Sequence, residues 1–154
     1  MMKYMKLILG ISMLVISLTL TSCSPKSSEQ PKKESMGLSF FKESYSDAKI
    51  IKHSDGDINS DGKDDTVVIF SHEHEGKKEI AFTVILSGEG GFKKLDHYRA
   101  PLDNQNIDIK DTDGDKLNEF VISGSKNGEL GIGIYKIEKD KVIDLFGSGS
   151  MDAC

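Results

Sequence analysis

The chain has 154 residues, 25 Asp and Glu against 20 Lys and Arg, and a formal net charge of −5 at pH 7. That is the length of one domain, and its acid excess excludes the basic face that a nucleic-acid partner requires. With only two cysteines, no disulfide framework is expected.

The first element is a leader. Lys3 and Lys6 precede the uncharged run LILGISMLVISLTL at residues 7–20. This is the basic and then apolar order of a secretory signal peptide, and it falls short of the about 20 apolar residues of a membrane span. The run ends in Leu20-Thr21-Ser22-Cys23, which resembles a bacterial lipobox. The resemblance implies removal of residues 1–22 and a lipid-bearing Cys23, acylated by chains such as palmitate. The protein is then held at the extracytoplasmic face of the cell membrane by its lipid anchor. Loss of two lysines leaves 18 basic against 25 acidic residues, a net charge of −7.

Residues 23–36 follow as lipidated Cys and flexible tether. SPKSSEQPKKES (24–35) is polar, carries Pro25 and Pro31, and has no apolar residue to bury. The folded domain is placed at residues 37–147, with 148–154 as a flexible C-terminal tail. Leu38 to Lys49 holds the one helical stripe. Thereafter the apolar runs are short: AKIIKHS, TVVIFS, EIAFTVILS, FKKLDHY, NIDIKD, EFVIS, LGIGIYKIE and KVIDLF. They are rich in Ile, Val, Phe and Tyr, and several alternate with period two, which predicts strands. Gly88 to Gly91 and Glu138 to Lys141 are expected hairpin turns.

The runs fall into two groups. Asp57 to Asp111 and Asp65 to Glu119 are each 54 positions apart, and the second group is a few residues shorter. The expected fold is mostly β, with two four-stranded antiparallel repeats resembling propeller blades. It is not a closed propeller, since closure takes at least four blades.

Each repeat opens on an acidic loop. GDINSDGKDD presents Asp57, Asn59, Asp61 and Asp65 at relative positions 1, 3, 5 and 9; KDTDGDKLNE presents Asp111, Asp113, Asp115 and Glu119 likewise. Calcium takes six to eight oxygens, and alternate residues of a tight loop turn the same way. Positions 1, 3 and 5 are therefore expected to converge on calcium. The main-chain carbonyls of Lys63 and Leu117 at position 7 add a ligand, and the position-9 carboxylate closes the site. Gly62 gives the first loop its sharp turn; in the second, Lys116 stands there and Gly114 lies two places earlier. An EF-hand is excluded, because its position-12 glutamate is replaced by Val68 and Ile122. The loops resemble FG-GAP or VCBS-type repeats, as in integrin α-chains, whose D-x-D-x-D-G-x-x-D loop lies between two blade strands. That resemblance implies calcium and a binding surface for a protein or small ligand.

Two weaker features remain. His72 and His74 share one side of an extended stretch and are a two-ligand candidate for a transition ion. Cys154 is a lone thiol able to bind a soft metal or exchange with a disulfide. With the lipobox and small β domain, it resembles lipoproteins ending in Cys-Cys or Cys-selenocysteine, which implies a thiol- or selenol-based metal or redox accessory working beside a transporter. No nucleophile–base pair, phosphate-binding glycine loop or CxxC occurs, so no enzyme activity is expected. The expected function is a membrane-anchored binding or accessory module stabilised by calcium, the thiol-based role being the alternative.

Overall fold

The computed structural model describes residues 35–146. The leader, Cys23, the tether as far as residue 34, and the tail with Cys154 lie outside the described residues. One helix, α1 (Met36–Ser44), precedes nine strands: β1 (Lys49–Gly56), β2 (Asp65–His74), β3 (Lys77–Gly88), β4 (Gly91–Lys94), β5 (Tyr98–Arg99), β6 (Asp103–Lys110), β7 (Glu119–Lys126), β8 (Glu129–Glu138) and β9 (Lys141–Asp144). They form two antiparallel sheets, β1-β2-β3-β4 with β5 also on β3, and β6-β7-β8-β9. The protein is mostly β, and neither sheet closes into a barrel.

The eight apolar runs become nine strands because FKKLDHY breaks in two. Its ends pair with β3 separately, Ile85 with Lys94 and Phe82 with Tyr98. Between them the Leu95 amide still donates to the Val84 carbonyl at 2.9 Å, and the Thr83 hydroxyl donates to the Leu95 carbonyl at 2.9 Å. The domain also starts slightly earlier than the composition implies. Ser35 and Met36, read as tether, are the cap and first residue of α1, with the Ser35 hydroxyl accepting from the Leu38 amide. This satisfies one of the free amides at a helix start.

The repeat extends to the register. Gly56 pairs with Asp65, and Lys110 with Glu119, both a step of 54. Beyond the second strand the step is 50: Ile85 pairs with Lys94, and Tyr135 with Asp144. A bulge interrupts the first pairing of each sheet at matching places, between Ile50 and Lys52 and between Asp103 and Asn106. The edge strands β1 and β6 also meet: the Lys52 ammonium donates to the Asn106 side-chain carbonyl at 2.6 Å, a contact between equivalent positions.

Packing between the sheets is not mirrored. In β2, Val67 and Ile69 enter the core between the sheets, while Val68 and Phe70 turn to the opposite face. In β7 the residues entering that core are Phe120 and Ile122, which stand at the positions of Thr66 and Val68. The sheets therefore stack head to tail, one face of the first against the opposite face of the second, as successive blades do. Phe82 is the hinge of this contact, with ring centroids 5.9 Å from Phe120 and 5.0 Å from Tyr135.

The other face of the first sheet is covered by α1. Leu38 and Phe41 lie one helical turn apart and pack on Val68, Phe70, Ala81 and Ile85. Gly37 permits this approach, since a Cβ there would stand 2.3 Å from the Thr66 hydroxyl oxygen. Both β2 and β3 are thus buried on two sides, which is why VVIF (67–70) is apolar at every position.

Candidate metal centre

Each acidic loop joins the first two strands of its sheet, and the two loops share one internal hydrogen-bond pattern. The position-6 amide donates to the far carboxylate oxygen of position 1, Gly62 to Asp57 and Lys116 to Asp111, both at 2.9 Å. The position-5 amide donates to position 3, Asp61 to Asn59 at 3.0 Å and Asp115 to Asp113 at 3.1 Å. The position-7 amide donates to position 5, Lys63 to Asp61 at 2.9 Å and Leu117 to Asp115 at 2.8 Å. These bonds turn the alternate side chains inward. In the second loop, oxygens of Asp111, Asp113 and Asp115 all lie within 4.8 Å of one another. In the first, Asp57 and Asn59 bring their oxygens to the same Asp61 amide, at 3.2 and 3.0 Å. The second loop thus gathers the oxygens of positions 1, 3 and 5, and in the first loop positions 1 and 3 meet at the position-5 amide.

Position 9 behaves differently from the expectation. Glu119 is buried and turns back to the loop entrance, accepting from the Thr112 amide at 2.7 Å and the Thr112 hydroxyl at 2.6 Å. It does not join the cluster of three carboxylates. Asp65, also buried, accepts from the Ile58 amide at 3.2 Å and from the Ser87 amide at 2.8 Å, fastening the loop to β3. The position-9 acids act in this structure as clasps at the loop base, because buried main-chain amides need acceptors. Position 7 enters the pattern through its amide, and the Leu117 side chain is exposed.

Lys116 is not a defect in the second loop. Positions 4 and 6 have positive φ in both loops: Ser60 at 62° and Gly62 at 82°, Gly114 at 86° and Lys116 at 73°. One glycine serves each loop, at a different one of two left-handed positions. The same turn is built from either placement.

The loops also touch. Asn118, at position 8 of the second loop, donates its side-chain amide to the main-chain carbonyl of Asp57 at 2.9 Å. Neither Asn118 nor Thr112 stands out in the acidic pattern; the one available signal is that position 8 is Asp64 in the first loop and an amide in the second.

Charge in the loops is partly balanced by dipoles. The amide of Gly114, followed by other loop amides, holds the Asp111 carboxyl below its ordinary value. Burial pushes the Asp65 carboxyl up against the opposing pull of its two amide bonds, and Asp61 and Asp57 add to the rise. Near the second loop, the Lys136 ammonium is raised first by its 2.5 Å bond to Glu138, with Asp115 and Asp113 contributing. An exposed cluster of three carboxylates with one lysine nearby retains the hard oxygen donors and negative charge that suit calcium.

His72 and His74 stand two apart in β2, on the same side of the strand, but in different surroundings. His72 lies against Phe70 and against His97, its ring centroid 5.4 Å from each, whereas His74 is exposed. His72 Nε2 is buried without a hydrogen bond, the Glu79 carboxylate standing 3.7 Å away. His97, 25 positions downstream, carried no local signal. No protein-family model, curated protein or solved structure matches the chain.

Proposed function

We propose that this chain is an extracytoplasmic, lipid-anchored binding or accessory module whose β domain is stabilised by calcium in its two acidic loops. The observation that carries the reading is the recurrence, 54 residues apart, of one loop hydrogen-bond geometry, with the carboxylates of positions 1, 3 and 5 gathered in the second loop. Gathering three carboxylates costs repulsion that a divalent cation relieves. Backbone amides offset part of that cost, leaving each carboxylate oxygen a further lone pair for the ion. The FG-GAP or VCBS resemblance of the loops, their place between paired strands and the stacking of blade-like sheets support the same reading. Attachment through Cys23 rests on the lipobox motif.

Equilibrium dialysis of the full chain against radioactive calcium tests the reading. Two ions per chain are expected, each displaced by excess cold calcium. No bound calcium at millimolar concentration, the range of extracellular modules, overturns it.

A further inference from the structure

Away from the acidic loops, one buried side-chain nitrogen lacks a hydrogen bond. His72 Nε2 is the one such side-chain atom among the described residues. Burial strips it of water, so leaving its bond unmade is costly. Two groups able to ligate a metal stand around it. Glu79 is the register partner of His72 across β2 and β3, and its carboxylate lies 3.7 Å from Nε2. His97, between β4 and β5, brings its ring centroid to 5.4 Å from that of His72, with the planes at 80°.

These separations suit a shared ion. Tetrahedral zinc holds imidazole nitrogens at about 2.0–2.1 Å and carboxylate oxygens at about 2.0–2.2 Å. Two ligand atoms are then roughly 3.4 Å apart, and two imidazole ring centres roughly 5.3 Å. The His72–His97 spacing meets the second value, and the His72–Glu79 spacing is slightly longer than the first. The three groups are less tightly gathered than the aspartates of the second loop. His97 is exposed, however, so a turn of its side chain closes the set. His72 also lines an open cavity of about 690 Å³ beside the end of α1, where Asp47 and Glu73 balance Lys49 and Lys78. The cavity gives an ion its entry path and leaves room for water or a solute as fourth ligand. Two imidazoles and one carboxylate favour a zinc-class ion over calcium, which takes oxygen ligands.

We infer that His72, Glu79 and His97 form a second kind of metal site, which takes a zinc-class transition ion and keeps one position open to the cavity. The inference does not depend on the calcium loops. Equilibrium dialysis against radioactive zinc tests it, using the full chain with Cys23→Ser and Cys154→Ser to remove competing thiols. Calcium is kept in excess to occupy the acidic loops. One zinc ion per chain is expected. His97→Ala and Glu79→Gln should each weaken it by more than about tenfold, since even an outer-shell partner of a metal ligand typically contributes that much. His74→Ala, on the same side of β2, should leave it unchanged. Circular dichroism should report all three variants as folded, because none of these side chains is buried. Absence of bound zinc overturns the inference. So does zinc binding that either His97→Ala or Glu79→Gln leaves undiminished, or that His74→Ala weakens equally.

Discussion

Asn118 donates its side-chain amide to the Asp57 main-chain carbonyl across 2.9 Å, joining two acidic loops that are 61 residues apart along the chain. Each loop is thereby braced from outside as well as by its own amides. Asn118→Ala leaves the part-buried Asp57 carbonyl without this donor, and such a loss typically costs about 1–2 kcal/mol. The midpoint of urea unfolding should fall accordingly, with unchanged slope. Asn118→Asp should cost more, since it adds an acid to the cluster.

The complementary glycines give a second test. At Lys116 the left-handed backbone of a non-glycine residue is strained by about 1–2 kcal/mol, while glycine adds unfolded-state entropy worth somewhat less. Lys116→Gly should therefore stabilise the calcium-free chain by about 0.5–1 kcal/mol. Gly62→Ala should destabilise it, although no atom lies within 4 Å of the added Cβ. Crowding is thus absent, and any loss reports backbone conformation alone.

Asp65 makes stability depend on acidity. Its folded value is raised above the ordinary 3.8, chiefly by burial. The folded protein then keeps its proton through a window in which the unfolded chain has lost it. The contribution of Asp65 to stability falls as pH climbs from about 3.8 through the folded value. Asp111, lowered by its amides, acts in the opposite sense and loses its contribution as pH falls. Comparing wild type with Asp65→Asn in calcium-free buffer isolates the first effect. The wild type should lose ground to the variant as pH rises across that window. A constant difference between their melting temperatures would show that Asp65 ionises alike in both states.

Much of this architecture is legible in the sequence because it repeats. Period-two runs such as LGIGIYKIE become strands, and the spacing of Asp57 to Asp111 reappears as identical register in β1-β2 and β6-β7. The convergence of Asp111, Asp113 and Asp115 follows from their alternation. Other features need the third dimension. TVVIF is apolar on both sides, so its alternation does not say which side meets the other sheet and which meets α1. Glu119 has the residue type of a metal ligand, but Thr112, seven residues earlier, offers it two donors at the loop base. The meeting of His72 with His97, like that of Asn118 with Asp57, joins distant segments and leaves no local pattern.

The most direct measurement is thermal unfolding of the full chain with calcium and with a chelator, for wild type and Asp115→Asn. The variant keeps an oxygen for the Leu117 amide but removes one charge from the cluster. At about ten millimolar calcium, sites with dissociation constants of about 10⁻⁴–10⁻³ M each stabilise the fold by about 1.4–2.7 kcal/mol. The wild type should melt several degrees higher with calcium. Asp115→Asn should melt at or slightly above the wild type in chelator, since it relieves repulsion in the cluster, and lose most of one site's share of the calcium gain. A wild-type melting temperature that calcium does not move, or an undiminished gain in the variant, would contradict the account.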